Sequence, residues 1–215
     1  MKRSVVVIGG GGHGREVLDV IDAHNSAGRP EGLDVLGVVD DGPSELTHAR
    51  LKQRGVPFLG SLRQWLSENT REVGYVIGIG DGTARRSIDR AMTRAGLEAV
   101  SLVHPASTAG FGVSLAPGAV VFAGAVLATN IQIGRHTHVH RCATVGHDCS
   151  LGDFVTVNPS ASISGDCVVE DHVMIGVGAA ILQGLTVGRG ATVGGSACVV
   201  RDVGAALVVK GVPAR

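Results

Sequence analysis

From Val103 onward an aliphatic residue recurs at every sixth position without a slip. The series runs Val103, Ala109, Leu115, Val121, Leu127, Ile133, Val139, Val145, Leu151, Val157, Ile163, Val169, Ile175, Ile181, Val187, Val193 and Val199. Two residues before these positions lies a second, smaller series: Ala119, Ala125, Ala143, Cys149, Ala161, Cys167, Ala179, Ala191 and Ala197, with Val113, Ile131, Val155, Val173 and Leu185 as its larger members. The two-residue alternation of an extended chain sends both series to the same side. A six-residue unit then makes one flat side and one corner of a prism, and a hexapeptide period is the mark of a parallel β-helix. Three sides close one turn, so Cys149 and Cys167, 18 residues apart, stack in the interior. Gly134, Gly146, Gly152, Asn158, Gly176, Gly188 and Gly194 follow aliphatic positions. They are expected to form corners that need positive φ or side-chain-to-backbone bonds. No long loop interrupts residues 103–199. The period does not fix the hand of the coil.

Residues 1–98 follow a different pattern. Ser4–Ile8 is a short apolar run of the kind that forms a buried parallel strand. A glycine turn, Gly9–Gly14, follows it, and Arg15–Asn25 then places Val17, Leu18, Val20 and Ile21 at helical spacing. Val35–Val39 predicts a second strand ending at Asp40 and Asp41. Leu62–Ser67 predicts a short helix, Tyr75–Ile79 a strand and Ala84–Ala95 a helix. Alternating strands and helices predict a small Rossmann-like parallel α/β sheet. The expected organisation is an α/β domain over 1–98 and an all-β, β-helical domain over 99–215.

Composition narrows the function. Lys plus Arg and Asp plus Glu both number 19, for a formal charge of zero. Nucleic-acid binding by bulk electrostatics is therefore not expected. The apolar run at the N-terminus is too short for a signal peptide or membrane span, so a soluble, cytoplasmic protein with no membrane partner is expected. The four cysteines, Cys142, Cys149, Cys167 and Cys198, form no CxxC pair. Aromatic residues make up 3% of the chain and glycines number 33, so the core must be built from small aliphatic side chains.

Gly9, Gly11 and Gly14 fit G-x-G-x-x-G between a strand and a helix, a turn that brings backbone N–H groups to a phosphate. Asp40 follows the second strand, where a ribose-binding acid sits in such folds. A dinucleotide oxidoreductase needs a full doubly wound sheet, for which about 98 residues leave little room. Four of the nine histidines lie between residues 136 and 147. His147 falls two residues after the inward Val145, at a corner, with its ring expected to point away from the interior. Asp148 follows it. A neutral imidazole oriented by a carboxylate suits a general base at neutral pH. His136, His138 and His140 alternate along one segment and open a metal-site reading. Val139 is an inward position, so these neighbours are expected to face outward and line a subunit boundary near His147.

Several stretches resemble the bacterial sugar acyltransferase family that includes sialic acid O-acetyltransferases and UDP-4-amino-sugar and GDP-perosamine N-acetyltransferases. They are VVIGGGGHGREV at Val6–Val17, VVDD at Val38–Asp41, GIGDGTAR at Gly78–Arg85, ATVGHDCSLGD at Ala143–Asp153 and VKGVPAR at Val209–Arg215. The resemblance covers nearly the whole chain. It implies a left-handed β-helix, acetyl-CoA as co-substrate, no metal, and a homotrimer with coenzyme A lying between two prisms. It also implies direct acetyl transfer to the amino group of a nucleotide-linked 4-amino-4,6-dideoxy sugar, with O-acetylation of a sialic acid-type sugar as the alternative. A γ-class carbonic anhydrase-like zinc enzyme and a non-catalytic nucleotide-sugar-binding trimer are further alternatives. The first lacks an N-terminal α/β half, and the intact His147–Asp148 pair argues against the second.

The resemblance also implies residue roles. His147 is the general base and Asp148 its orienter. Gly165 offers an N–H to the thioester carbonyl, Val177 and Gly195 touch coenzyme A, and the corner glycines Gly165, Gly176 and Gly195 are placed to bind its pantetheine arm through backbone groups. Lys210 and Arg215 meet its phosphates. Gly11, Gly12, His13, Asp40, Asp41 and Gly80 hold the nucleotide sugar. Thr156 stands where relatives often carry a second histidine on the acetyl thioester, and His140 stands where they often carry an asparagine.

Overall fold

The computed structural model describes residues 2–28, 32–69 and 72–215. The chain divides into two compact units, Met1–Leu102 and Val103–Arg215.

The first unit is a parallel sheet of four strands: β1 (Arg3–Ile8), β2 (Leu33–Val39), β3 (Gly74–Ile77) and β4 (Glu98–Ala99). Their order is β2-β1-β3-β4, so the chain leaves β1 and returns on either side of it. Val5, Val6, Val7 and Ile8 are at most 2% exposed, as a strand covered on both faces requires. Helix α1 (Gly12–Ser26) buries Val17, Leu18, Val20 and Ile21. It starts three residues before the periodic apolar stretch. Gly12, His13 and Gly14 occupy its first turn, where N–H groups have no intrahelical partner.

Helix α2 (Glu45–Arg54) lies outside the elements expected from periodicity, because its apolar face is narrow, with Thr47 and Leu51 buried. Its ends are well marked, however: Ser44 Oγ accepts from Thr47 N, and Gly55 closes it at φ 72°. Helices α3 (Leu62–Glu68) and α4 (Gly82–Arg94) are capped by Ser61 and Asp81. Among the described residues no helix is long and apolar enough to cross a membrane.

The second unit is a left-handed parallel β-helix with three flat faces. Face I has seven two-residue strands, from Leu102–Val103 to Val208–Val209. Face II has six, from Thr108–Ala109 to Cys198–Val199, and face III has five, from Ser114–Leu115 to Thr186–Val187. Each strand pairs with one 18 residues away, as Thr144 does with Ser162 and Val145 with Ile163, except at the last turn, where Thr192 pairs with Val208 and Val193 with Val209 at an offset of 16. The interior holds both predicted series from Ala119 to Val199. The exceptions lie at the first turn, where Val103 and Leu115 are half-buried and Ala109 is exposed, because no earlier turn covers them. Cys149 and Cys167 are free thiols in this core. Burial pushes the Cys149 thiol up to about 11, which keeps it protonated and unreactive at neutral pH.

The corners differ from the sequence expectation in one respect. The residues in left-handed conformation are Asn130, His136, Cys142, Asp148, Phe154, Ser160, Asp166 and their counterparts, three positions after the aliphatic residue. The glycines immediately after that residue have ordinary φ and are needed for another reason. A Cβ on Gly134 would stand 2.3 Å from the carbonyl of Gly152, and one on Gly146 would stand 2.5 Å from Gly165 N. Successive turns touch backbone to backbone there, and no side chain fits between them.

Ile175 is fully buried between Val157 and Val193. Ile175→Ala is expected to destabilise the column by about 2–5 kcal/mol and Ile175→Val by about 0.5–1.5 kcal/mol. Urea unfolding of the two variants checks this, and an alanine cost under about 1 kcal/mol would contradict the interior placement.

Candidate active site

The corner between faces II and III carries His147, Asp148 and Gly165. Its backbone is fixed by bonds between turns: Asp148 N donates to Thr129 O at 3.0 Å, and Asp166 N donates to His147 O at 2.8 Å. The side chains of His147 and Asp148 are each 48% exposed, and their Nδ1 and Oδ2 atoms lie 2.7 Å apart. The carboxyl of Asp148 is held below the usual carboxylate range, first by the hydrogen bond from His147 and then by one from Asn130. An ionised carboxylate only accepts, so Nδ1 is the donor and Nε2 of the neutral ring is left with its lone pair. The ring lies over Gly165, where a Cβ would come within 2.5 Å of Nε2. A solvent-reachable, tautomer-fixed imidazole above a glycine backbone can take a proton from a nucleophile placed beside it.

In the α/β unit, the carboxyl ends of β1, β2 and β3 bring together the glycine turn, Asp40–Asp41 and Ile79–Gly80, the edge where ligands bind in open parallel sheets. The glycines there divide by function. A Cβ on Gly14 would stand 1.8 Å from Gly9 O, and one on Gly78 would stand 2.5 Å from the Cα of Gly14. These positions serve packing of α1 against the sheet. A Cβ on Gly11 or Gly80 would meet nothing within 4 Å, and one on Gly12 would meet only Arg15 Nη2 at 3.9 Å. Packing does not require glycine at these positions, and at Gly11 and Gly12 the backbone is open to a ligand. Gly11 caps α1 without a side-chain hydrogen bond, which leaves N–H groups facing outward.

Asp40 accepts from Gly10 N at 2.7 Å and Gly42 N at 2.9 Å, and Asp41 accepts from Leu62 N at 2.8 Å. Both acids therefore hold loops in place, with further lone pairs left over. They line a cleft of about 140 Å³ with Ile8, Val39, Leu62 and Ile79. His13 is half-buried in the first turn of α1, its Nδ1 3.8 Å from Glu16 Oε2. A larger cleft, rimmed by Lys2, Arg3, Glu72 and Glu98, lies at the opposite edge of the sheet, away from the glycine turn.

His136, His138 and His140 were expected to face outward and line a subunit boundary near His147. Their side chains leave the interior series as expected, but they are 0%, 0% and 7% exposed within the single chain. His140 stacks on Phe122 at 4.7 Å, and His136 stacks on Phe154 at 5.8 Å, with His172 on the far side of Phe154 at 5.1 Å. The rings at 136, 154 and 172 recur at one corner, one turn apart. All three are thus buried within the single chain, His136 and His140 against aromatic rings. Among the described residues the three do not converge with one another as a ligand set.

Thr156 is not brought to His147 within the chain. It is buried on face I, paired with His138. Val177 and Gly195 share a different corner, between faces I and II, where Ser196 N donates to Val177 O at 2.8 Å and Val177 is 57% exposed. Gly176 lies against Gly195 at that corner. Lys210 and Arg215 exchange backbone hydrogen bonds with each other, and both are exposed.

Two residues were missed by motif reading. Arg85 is fully buried, and its Nη1 donates to the carbonyls of Ile79 at 3.0 Å and Gly80 at 2.8 Å. Burial pushes its guanidinium down to about 10, with Asp81 opposing. It ties the Gly80 loop to α4; in the sequence it is the last residue of the GIGDGTAR stretch, with no role assigned to it. Asn130 Nδ2 donates to Asp148 Oδ1 at 3.1 Å from one turn earlier, at the spacing of 18 that the repeat itself supplies.

Comparison with known proteins agrees with this architecture. Residues 4–92 match the PglD N-terminal domain family. A curated GDP-perosamine N-acetyltransferase of Escherichia coli O157:H7 is 32% identical over 152 residues, covering 70% of this chain and 65% of the relative. The crystal structure of PerB from Caulobacter crescentus, in complex with CoA and GDP-perosamine, superposes with a TM-score of 0.87 at 30% identity, covering 99% of this chain and 96% of that one. The acetyltransferase domain of PglB from Neisseria gonorrhoeae, in complex with acetyl coenzyme A, gives 0.84 at 29% identity, covering 100% and 99%. With the hexapeptide column, the glycine-turn sheet and near-complete coverage in agreement, this chain belongs to the hexapeptide-repeat nucleotide-sugar acetyltransferase family.

Proposed function

We propose that this chain transfers the acetyl group of acetyl-CoA to the amino group of a nucleotide-linked 4-amino-4,6-dideoxy sugar. The observation that carries this reading is the exposed His147 ring, held by Asp148 over the backbone of Gly165. The substrate class is supported by the relatives, one named for GDP-perosamine N-acetylation and one crystallised with CoA and GDP-perosamine.

The neutral sugar amine attacks the thioester carbonyl carbon. Nε2 of His147 takes the ammonium proton as the C–N bond forms. The C–S bond then breaks, and the proton passes to the departing sulfur, giving the amide and free coenzyme A. Asp148 keeps the ring in the required tautomer and stabilises the imidazolium that forms transiently. Gly165 is assigned as the N–H donor to the developing oxyanion. Thr156, buried on another face, offers the thioester little exposed hydroxyl. The nucleotide diphosphate is assigned to the open backbone of Gly11 and Gly12 at the start of α1. His13 and Gly80 flank it, and Asp40 and Asp41 hold the loops around the apolar cleft.

His147 with Gly165, and Val177 with Gly195, occupy different corners of one column. A pantetheine arm that contacts both pairs has to lie between neighbouring copies, which supports a homotrimer with three sites. Acetyl-CoA and nucleotide-linked sugars are cytoplasmic metabolites, and the reaction is placed there.

Thiol release from acetyl-CoA, followed with a panel of UDP-, GDP- and dTDP-linked amino sugars, is expected to give turnover with at least one of them. His147→Ala is expected to lower kcat by about 10²–10⁴, and undiminished turnover would remove the imidazole from the mechanism. Gly165→Ala has ordinary backbone to occupy but pushes its Cβ into the His147 ring. It is expected to fold with a Tm close to wild type while losing about tenfold or more in kcat, checked by thermal unfolding beside steady-state kinetics.

A further inference from the structure

Asn130 stands on the same corner as Asp148, one turn earlier, in left-handed conformation with φ 56°. Its amide Nδ2 donates to Oδ1 of Asp148, while Oδ2 accepts from His147. A carboxylate on an exposed corner rotates about its side-chain bonds unless both oxygens are engaged, and here one oxygen is engaged by each neighbour. We propose that Asn130 is a positioning residue for acetyl transfer: its amide clamps the Asp148 carboxylate in the orientation that holds His147 in its base tautomer.

The residue type fits this role narrowly. Asn, Asp and Gly tolerate left-handed backbone best. Of these, Gly has no side-chain donor and Asp would set a second negative charge against Asp148. Of these three, Asn alone carries a side-chain donor for a carboxylate. The hydrogen bond from Asn130 is also the second cause that holds the Asp148 carboxyl low. The titratable groups at this corner are His147, Asp148 and Asp166, whose donor atoms lie within 4.8 Å of one another. Asp166 is engaged from the other side by Gln183 Nε2 at 3.0 Å. Two amides thus bracket two carboxylates, and the one next to the imidazole's partner is Asn130.

The inference rests on His147 being the base, and the experiment separates the two. Asn130→Gly keeps the left-handed backbone and the bond from the residue 130 N–H to Phe111 O, and deletes only the amide. Its Tm is expected to stay close to wild type. Its kcat is expected to fall about tenfold, the size of one lost hydrogen bond to a charged group, with KM for acetyl-CoA and for the sugar unchanged. In an Asp148→Gly background, where there is no carboxylate to clamp, Asn130→Gly is expected to cause no further loss.

An equal loss in both backgrounds would show a merely structural residue and overturn the proposal, as would full kcat in the single variant. Asn130→Asp keeps size and left-handed tolerance and is expected to lose more than Asn130→Gly. If the glycine variant folds poorly, the aspartate variant decides, and wild-type kcat there overturns the proposal. An inactive His147→Ala beside an unimpaired Asn130→Gly refutes this inference alone. An active His147→Ala refutes the base assignment and this inference with it.

Discussion

Everything in the second unit depends on successive turns bonding to one another through their backbones, at an 18-residue offset up to Val199 and at 16 in the last turn. Two-residue strands have almost no stability alone. They persist because each N–H and C=O finds a partner on the turn before and the turn after, and because the aliphatic and small series fill the space between three faces. One extra residue would turn an inward valine outward along the rest of that face. The glycines that let turns touch, such as Gly134 and Gly146, belong to the same constraint, since any side chain there would force the turns apart.

That constraint also makes the site. A corner must leave the extended conformation, so its residues point away from the packed interior and cannot contribute to the core. At the corner between faces II and III these free positions hold Asn130, Asp148 and Asp166, stacked one turn apart, with His147 beside Asp148. Polar groups on flexible loops would need additional contacts to hold such a geometry. Here the spacing is set by the rise of the column, and only side-chain torsions remain to be fixed.

Much of this was legible in the sequence because the signal is a strict period. The faces, the interior series, the stacked cysteines and the outward corner at His147 all follow from stepping by six. What the period hides is what lies outside the column. His136, His138 and His140 read as an alternating outward face, and they are outward, yet all three are buried within the single chain, with His140 stacked on Phe122 and His136 on Phe154. Four phenylalanines in the whole chain gave little warning of such a cluster. Thr156 was placed by resemblance, nine residues after His147, and the period already set it on face I rather than at the His147 corner. Asn130 was within reach, since the 18-residue offset already linked it to Asp148. In the α/β unit the glycine turn was visible, but sequence could not separate Gly14, fixed by packing, from Gly11 and Gly12, which packing leaves open. Helix α2 escaped because its inward face is too narrow to register as a period.

The carboxylate of Asp40 joins two loops by accepting one backbone N–H from each, at Gly10 and at Gly42. Such a bridge needs an acceptor at both ends of the side chain. The isosteric amide has only one, and its NH₂ end would face a backbone donor in place of an attraction. Drift at this position is therefore closed to the replacement nearest in shape. The acid can persist through an evolutionary change of ligand, because its first obligation is to the two loops it joins.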